Sequence, residues 1–260
     1  MRCWLRKMKN EAYQAILKRF EKKDGLTLHL YGSDASATSF ANLLENGAIY
    51  LGDAPDMFIK LGNHALIIEH FEYDGYHVRK GKGSSGRQKL KIIEENAKKG
   101  DGFYSGIINA KSSLGDLLTN IARSFEQHYS HIPLYKGNLM EHALIDDHTE
   151  VKTLFLLEDT SPLGTLFSGA NEFNPDICYF MPALSNEFLD ILQSHPDVDY
   201  ILNFSNAGGK DVAWFIDSNE LDAFREHTVD YSNMLFYPSE AHVILGKKCV
   251  SRSEINNEKI

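Results

Sequence analysis

Residues 54–73 read APDMFIKLGNHALIIEHFEY, and their reading decides the fold. Gly62-Asn63 is a tight-turn dipeptide between two apolar runs, so 56–61 and 64–73 are expected to pair as a β-hairpin. Asp56 opens the first strand. Glu69 follows Leu66-Ile67-Ile68 deep in the second. A carboxylate in such a run is expensive to bury unless it meets a cation, a metal or hydrogen-bond donors. In a hairpin with this turn, Asp56 and Glu69 lie near the same end and converge if they share a face.

Working outward, Phe40, Leu43 and Leu44 define one face of a helix that Asp34 or Ser36 can cap and Gly47 can end. Residues 26–31 alternate as a short strand. An earlier helix is marked by Tyr13, Ile16, Leu17 and Phe20, with Gly25 beyond it. After the hairpin, 75–80 reads as a third strand, 81–86 as a loop and 87–99 as a helix with Leu90, Ile93 and Ala97 inward. Ser113 and Asp116 have capping-box spacing. They open a helix whose inner stripe is Leu114, Leu117, Leu118, Ile121 and Phe125. Residues 128–150 are polar and His-rich, and are expected to be an irregular linker or insertion. Beyond them strands are expected at 152–157, 177–181, 199–204, 211–216, 233–237 and 241–245, and helices at 185–194 and 218–227. The pattern predicts an α/β protein with a mixed sheet and flanking helices. It falls into three blocks, 1–127, 128–150 and 151–260, the last an α/β extension that completes the sheet or forms a second subdomain.

The composition suits that class. The chain has 260 residues, 43% apolar and 24% charged, which excludes disordered and collagen-like chains. It contains no apolar run of transmembrane length and no apolar segment after its basic start, so neither a membrane nor a secretory route is expected. Cys3, Cys178 and Cys249 are odd in number and far apart, which fits a reducing cytoplasm. Net charge is −9, yet residues 76–99 hold eight basic residues against two acidic ones. That segment is +6 and leaves −15 for the remainder. Such segregation marks either an anion site or a solvated helix face.

The stretch resembles the PD-(D/E)xK nuclease superfamily. Pro55-Asp56 and Ile68-Glu69-His70-Phe71 carry the resemblance, and the order helix, strand, strand, strand, helix fits that family's core. It implies a restriction-endonuclease-like core within residues 1–127, and metal-dependent hydrolysis of nucleic-acid phosphodiesters. Asp56 and Glu69 then hold Mg²⁺ or Mn²⁺, with Glu45 on the preceding helix as a third acid. Nucleic acid is the implied partner, DNA ahead of RNA, and a homodimer is compatible with the family. The family's lysine position, two residues after the second acid, holds Phe71. Lys60, four residues after Asp56 on the same strand face, is the best substitute, with Lys80, Lys82, Gln88 and Lys91 behind it. Lys80, Lys82, Arg87, Lys89 and Lys91 can hold a phosphate backbone.

Two other readings compete. A non-catalytic binding protein on the same fold would make Phe71 the mark of lost activity. A nucleotide-binding protein would use Gly81-Lys82-Gly83-Ser84-Ser85-Gly86, which matches GxGxxG before an expected helix. The strand ahead of that motif is short and polar, which is a poor setting for a dinucleotide fold. The histidines from His128 to His148 complete no zinc pattern and are expected to be solvated. Glu158-Asp159 ends an apolar strand and can border the same cleft as Glu69.

Overall fold

The computed structural model describes residues 26–31, 34–52, 54–73, 95, 103–108, 114–159, 166–168, 178–179, 185–207, 210–226, 228, 235–237 and 241–247. In chain order the elements are β1 (Leu26–Tyr31), α1 (Asp34–Asn46), β2 (Ala48–Leu51), β3 (Met57–Leu61), β4 (His64–Tyr73) and β5 (Phe103–Ile108). Then come α2 (Leu114–Tyr129), α3 (Ile132–Glu141), β6 (Glu150–Asp159), β7 (Leu166–Ser168), β8 (Cys178–Tyr179), α4 (Asn186–Gln193), β9 (Tyr200–Ala207) and β10 (Lys210–Asp217). A 3₁₀ turn (Ser218–Glu220) leads into α5 (Leu221–Arg225), followed by β11 (Leu235–Tyr237) and β12 (Ala241–Lys247).

Seven strands form one mixed sheet in the order β1-β10-β9-β6-β4-β3-β2. The β2-β3-β4 part is an antiparallel meander, because short turns join its strands. β4, β6 and β9 are parallel to one another, and helices make the crossovers. β9 and β10 pair antiparallel, so the second half of the chain completes the sheet begun by the first. The far edge is β1, parallel to β10. Two small antiparallel ladders, β11-β7-β8 and β12-β5, stand apart from it. The expected mixed α/β sheet is therefore present.

Strand alternation divides the buried side chains between two faces. Met57, Ile59, Leu66, Ile68, Leu154, Leu156, Leu202 and Phe215 lie under α1, which buries Phe40, Leu43 and Leu44 against them. Fully burying each such side chain is worth about 1.5–3 kcal/mol. Phe40 stacks on Phe215 with ring centroids 5.2 Å apart. Gly47 closes α1, its N–H donating to the Leu43 carbonyl at 2.9 Å. A Cβ there would collide with Ile59 Cγ2 and lie 2.5 Å from the Leu43 oxygen, so only glycine lets α1 turn so tightly into β2 over β3. On the opposite face Phe71, Phe155, Leu157, Ile201 and Ile216 pack against Leu117, Ile121 and Phe125 of α2, Phe188 and Leu192 of α4 and Phe224 of α5. Beside them Phe58, Ala65 and Ile67 meet Tyr135 and Leu139 of α3.

Gly62 takes φ +59°, as the hairpin turn requires. The expected irregular segment 128–150 is corrected: α2 runs on to Tyr129 and α3 occupies Ile132–Glu141. Ile132, Tyr135 and Leu139 form a sparse buried stripe at i, i+3, i+7, hidden in the sequence by the histidines around it, and Pro133 sits in the first turn, where its missing N–H is harmless. Ser36 lies inside α1 and bonds Asp217 at 2.5 Å rather than capping the helix. The edge strand β2 and strands β5 and β7 were not anticipated by the sequence reading. The expected helix at Tyr13–Phe20, the strand at 75–80 and the loop at 81–86 lie outside the described residues, as does the helix expected at 87–99 apart from helical Glu95. Among the described residues no helix is long and apolar enough to cross a membrane.

Candidate active site at the Asp56 end of the hairpin

The β3-β4 ladder ends at the pair Met57-Ile68, and Asp56 lies in the bend just before β3. Alternation along β4 puts Glu69 on the face of Ala65 and Ile67, which pack against α3. The two residues interlock. The Asp56 N–H donates to Glu69 Oε2 at 3.3 Å, and the His70 N–H donates to Asp56 Oδ2 at 3.1 Å.

Glu69 is only 6% exposed, and burial of a carboxylate this deep demands donors. The Asp56 N–H is one, and His128 Nδ1, 2.8 Å from Oε1, is another, while the charge of the same carboxylate acts on the Tyr135 hydroxyl. Burial, then the charge of Glu69, then the charge of Asp56, push the Tyr135 hydroxyl well above the ordinary tyrosine range. His128 sits in the last turn of α2, where a basic side chain is favoured by the helix dipole. Its ring lies flat on Phe71, with centroids 4.8 Å apart and an interplanar angle of 11°. Phe71 is in turn wedged edge-on against Phe125 and Phe155.

The residues singled out in the sequence are only partly brought together. Asp56 and Glu69 meet. Lys60 shares the sheet face of Glu69, but it stands four residues from Asp56, about 13 Å along an extended chain. Its Nζ donates to the Leu144 carbonyl at 2.6 Å, tying β3 to the segment after α3. Glu45 is exposed on α1, the helix packed on the other face of the sheet. Glu158 lies on that other face as well, where its Oε2 is 3.1 Å from Nε2 of the buried His70. Lys80, Lys82, Arg87, Lys89, Lys91 and the glycines 81–86 lie outside the described residues.

His128 and Tyr135 are the site residues the sequence reading missed. A signal existed: His128 continues the Leu117, Ile121, Phe125 stripe by one further turn, and Tyr135 lies on the Ile132–Leu139 stripe. Of the other histidines in that segment, His148 belongs to an exposed turn in which Asp146 accepts from Thr149 and from the His148 N–H.

Mg²⁺ typically takes one or two carboxylates from protein, its other positions going to water and phosphate oxygens. Among the described residues no group of three or more His, Cys, Asp or Glu side chains is arranged to hold a metal ion. Comparison with protein-family models, curated proteins and solved structures finds no match to this chain.

Proposed function

We propose that this protein is a metal-dependent nuclease that hydrolyses nucleic-acid phosphodiester bonds, with Mg²⁺ or Mn²⁺ held by Asp56 and Glu69. The observation that carries this reading is the interlock of the two acids where β3 begins: the Asp56 N–H donates to Glu69 Oε2, and the His70 N–H donates to Asp56 Oδ2. The resemblance of Pro55-Asp56 and Ile68-Glu69-His70-Phe71 to the nuclease motif points the same way. The +6 segment at 76–99 supplies the charge a phosphate backbone needs in an otherwise acidic chain. A divalent cation at such a site acidifies water and stabilises a leaving phosphate oxygen. The chain's own part is to present two carboxylates from a rigid hairpin, within a buried setting that strengthens every charge interaction.

A second reading, a non-cleaving nucleic-acid-binding protein on this fold, is favoured by one observation: the family's lysine position holds Phe71, buried to 4% exposure. One assay separates the two. Purified protein is incubated with single- and double-stranded DNA and with RNA, in Mg²⁺, in Mn²⁺ and in chelator. The nuclease reading expects metal-dependent cleavage of at least one substrate, lost in Asp56→Ala and in Glu69→Ala. Binding without cleavage under every condition favours the second reading. Neither binding nor cleavage removes both.

A further inference from the structure

Phe71 occupies the place where the resemblance puts a lysine, but its ring is not idle: it carries His128 face to face. His128 comes from α2, 59 residues away from Glu69 in sequence, and sets Nδ1 at 2.8 Å from Oε1. A nitrogen that far from the hairpin in sequence thus reaches the second acid of the pair from the helix side. Glu69 is therefore held from α2 while its own strand is locked to Asp56.

We infer that His128 is a positioning residue that fixes the Glu69 carboxylate for metal, and that the Phe71-His128 stack is this chain's substitute for the strand lysine. The inference rests on the nuclease reading. It explains the departure at Phe71 without invoking Lys60, whose Nζ is engaged by the Leu144 carbonyl. Phe71 sets the ring plane and the buried aromatics Phe125 and Phe155 hold Phe71, so the imidazole has little freedom to swing away from Glu69. Outer partners that orient a ligating carboxylate commonly control metal affinity by about 10- to 100-fold.

The test is Mn²⁺ titration by calorimetry on the full chain, with cleavage kinetics run alongside, for wild type, His128→Ala, His128→Asn and Phe71→Leu. Asn places an amide N–H near the position of Nδ1, so it can donate the same bond with no imidazole. The expected result is that His128→Ala weakens Mn²⁺ binding about 10-fold or more and lowers kcat with KM for nucleic acid little changed. His128→Asn should recover most of the affinity. If wild type binds Mn²⁺ and His128→Ala, still folded by circular dichroism, binds it equally well, the positioning role is overturned while the nuclease reading stands. Should His128→Ala not fold, wild-type Mn²⁺ affinity in a Phe71→Leu variant that removes the stacking ring overturns it instead. If wild type binds no Mn²⁺ at all, the nuclease reading fails and the positioning role falls with it.

Discussion

Asp56 and Glu69 hold each other through backbone rather than through their charges: the Asp56 N–H donates to Glu69 Oε2, and the N–H of the residue after Glu69 donates to Asp56 Oδ2. The two residues are thereby kept beside each other where β3 begins. Each has its negative charge offset by amide donors, and Glu69 also by His128. The donors thereby offset part of the penalty of burying the charge.

Lys60→Met is expected to leave metal-dependent cleavage within about twofold of wild type. Its ammonium serves the Leu144 carbonyl, so the loss should appear instead as a destabilisation of about 1–3 kcal/mol, from an unsatisfied carbonyl beside α3. Urea denaturation with a parallel cleavage assay checks both halves. Abolished cleavage in a stably folded variant would return Lys60 to the reacting centre.

Gly47→Ala should destabilise the protein by about 1–3 kcal/mol, since the new methyl meets Ile59 and the Leu43 carbonyl with nowhere to go. Denaturant midpoints measure it. A neutral or stabilising outcome would show that α1 can shift relative to β3.

The hairpin was legible because its signals were local: Gly62-Asn63, two apolar runs and a paired acid at each far end. The α1 face and the α2 stripe were legible for the same reason, as 3.6-residue periodicity needs only a few neighbours. The short edge strand β2 was not. Its four residues are all exposed, so they carry no burial pattern at all. α3 was hidden because only Ile132, Tyr135 and Leu139 of its ten residues are buried. At the site, the two acids could be read from the strand pattern. The roles of His128 and Tyr135 could not, because both depend on how two helices dock on the sheet, which is set by contacts far apart in sequence.

Tyr135 gives a pH signature. Burial and Glu69 raise its folded value above that of the unfolded chain. The stability this contributes is fully present below about pH 10, the ordinary tyrosine value, and is lost as pH rises beyond it, because only the unfolded tyrosine then ionises. The stability gap between wild type and Tyr135→Phe, measured by urea melts at about pH 8 and about pH 10.5, should narrow at the higher pH. A constant gap contradicts this environment for Tyr135.

Asp199 gives another signature at the acid end. Burial raises its folded value, although the Thr153 N–H it accepts at 2.8 Å and the nearby Lys152 and Lys136 act the other way. A raised carboxyl stabilises the fold most below its unfolded value of about 3.9, and that contribution is lost as pH rises through the folded value. Wild type should therefore gain stability relative to Asp199→Asn as pH falls from about 7 to about 4. Denaturation of both proteins across that range reads the difference. A relative loss on acidification would show that the hydrogen bond and the lysines outweigh burial.

Phosphate contacts by the basic segment predict a salt effect. Log affinity for an oligonucleotide should fall linearly with log salt, and each alanine at Lys80, Lys82, Arg87, Lys89 or Lys91 that removes a phosphate contact should reduce the slope by about one unit. Fluorescence anisotropy at several salt concentrations measures it. Unchanged slopes in all five variants would make the segment a solvated face.

The central claim, that Asp56 and Glu69 share a divalent cation, is tested most directly by anomalous diffraction from crystals soaked in Mn²⁺. The account predicts one peak between the two carboxylates, about 2.1 Å from an oxygen of each, with Glu69 still held by His128 through its remaining lone pairs. The absence of any peak there at saturating Mn²⁺, with both carboxylates keeping only their present donors, would contradict it.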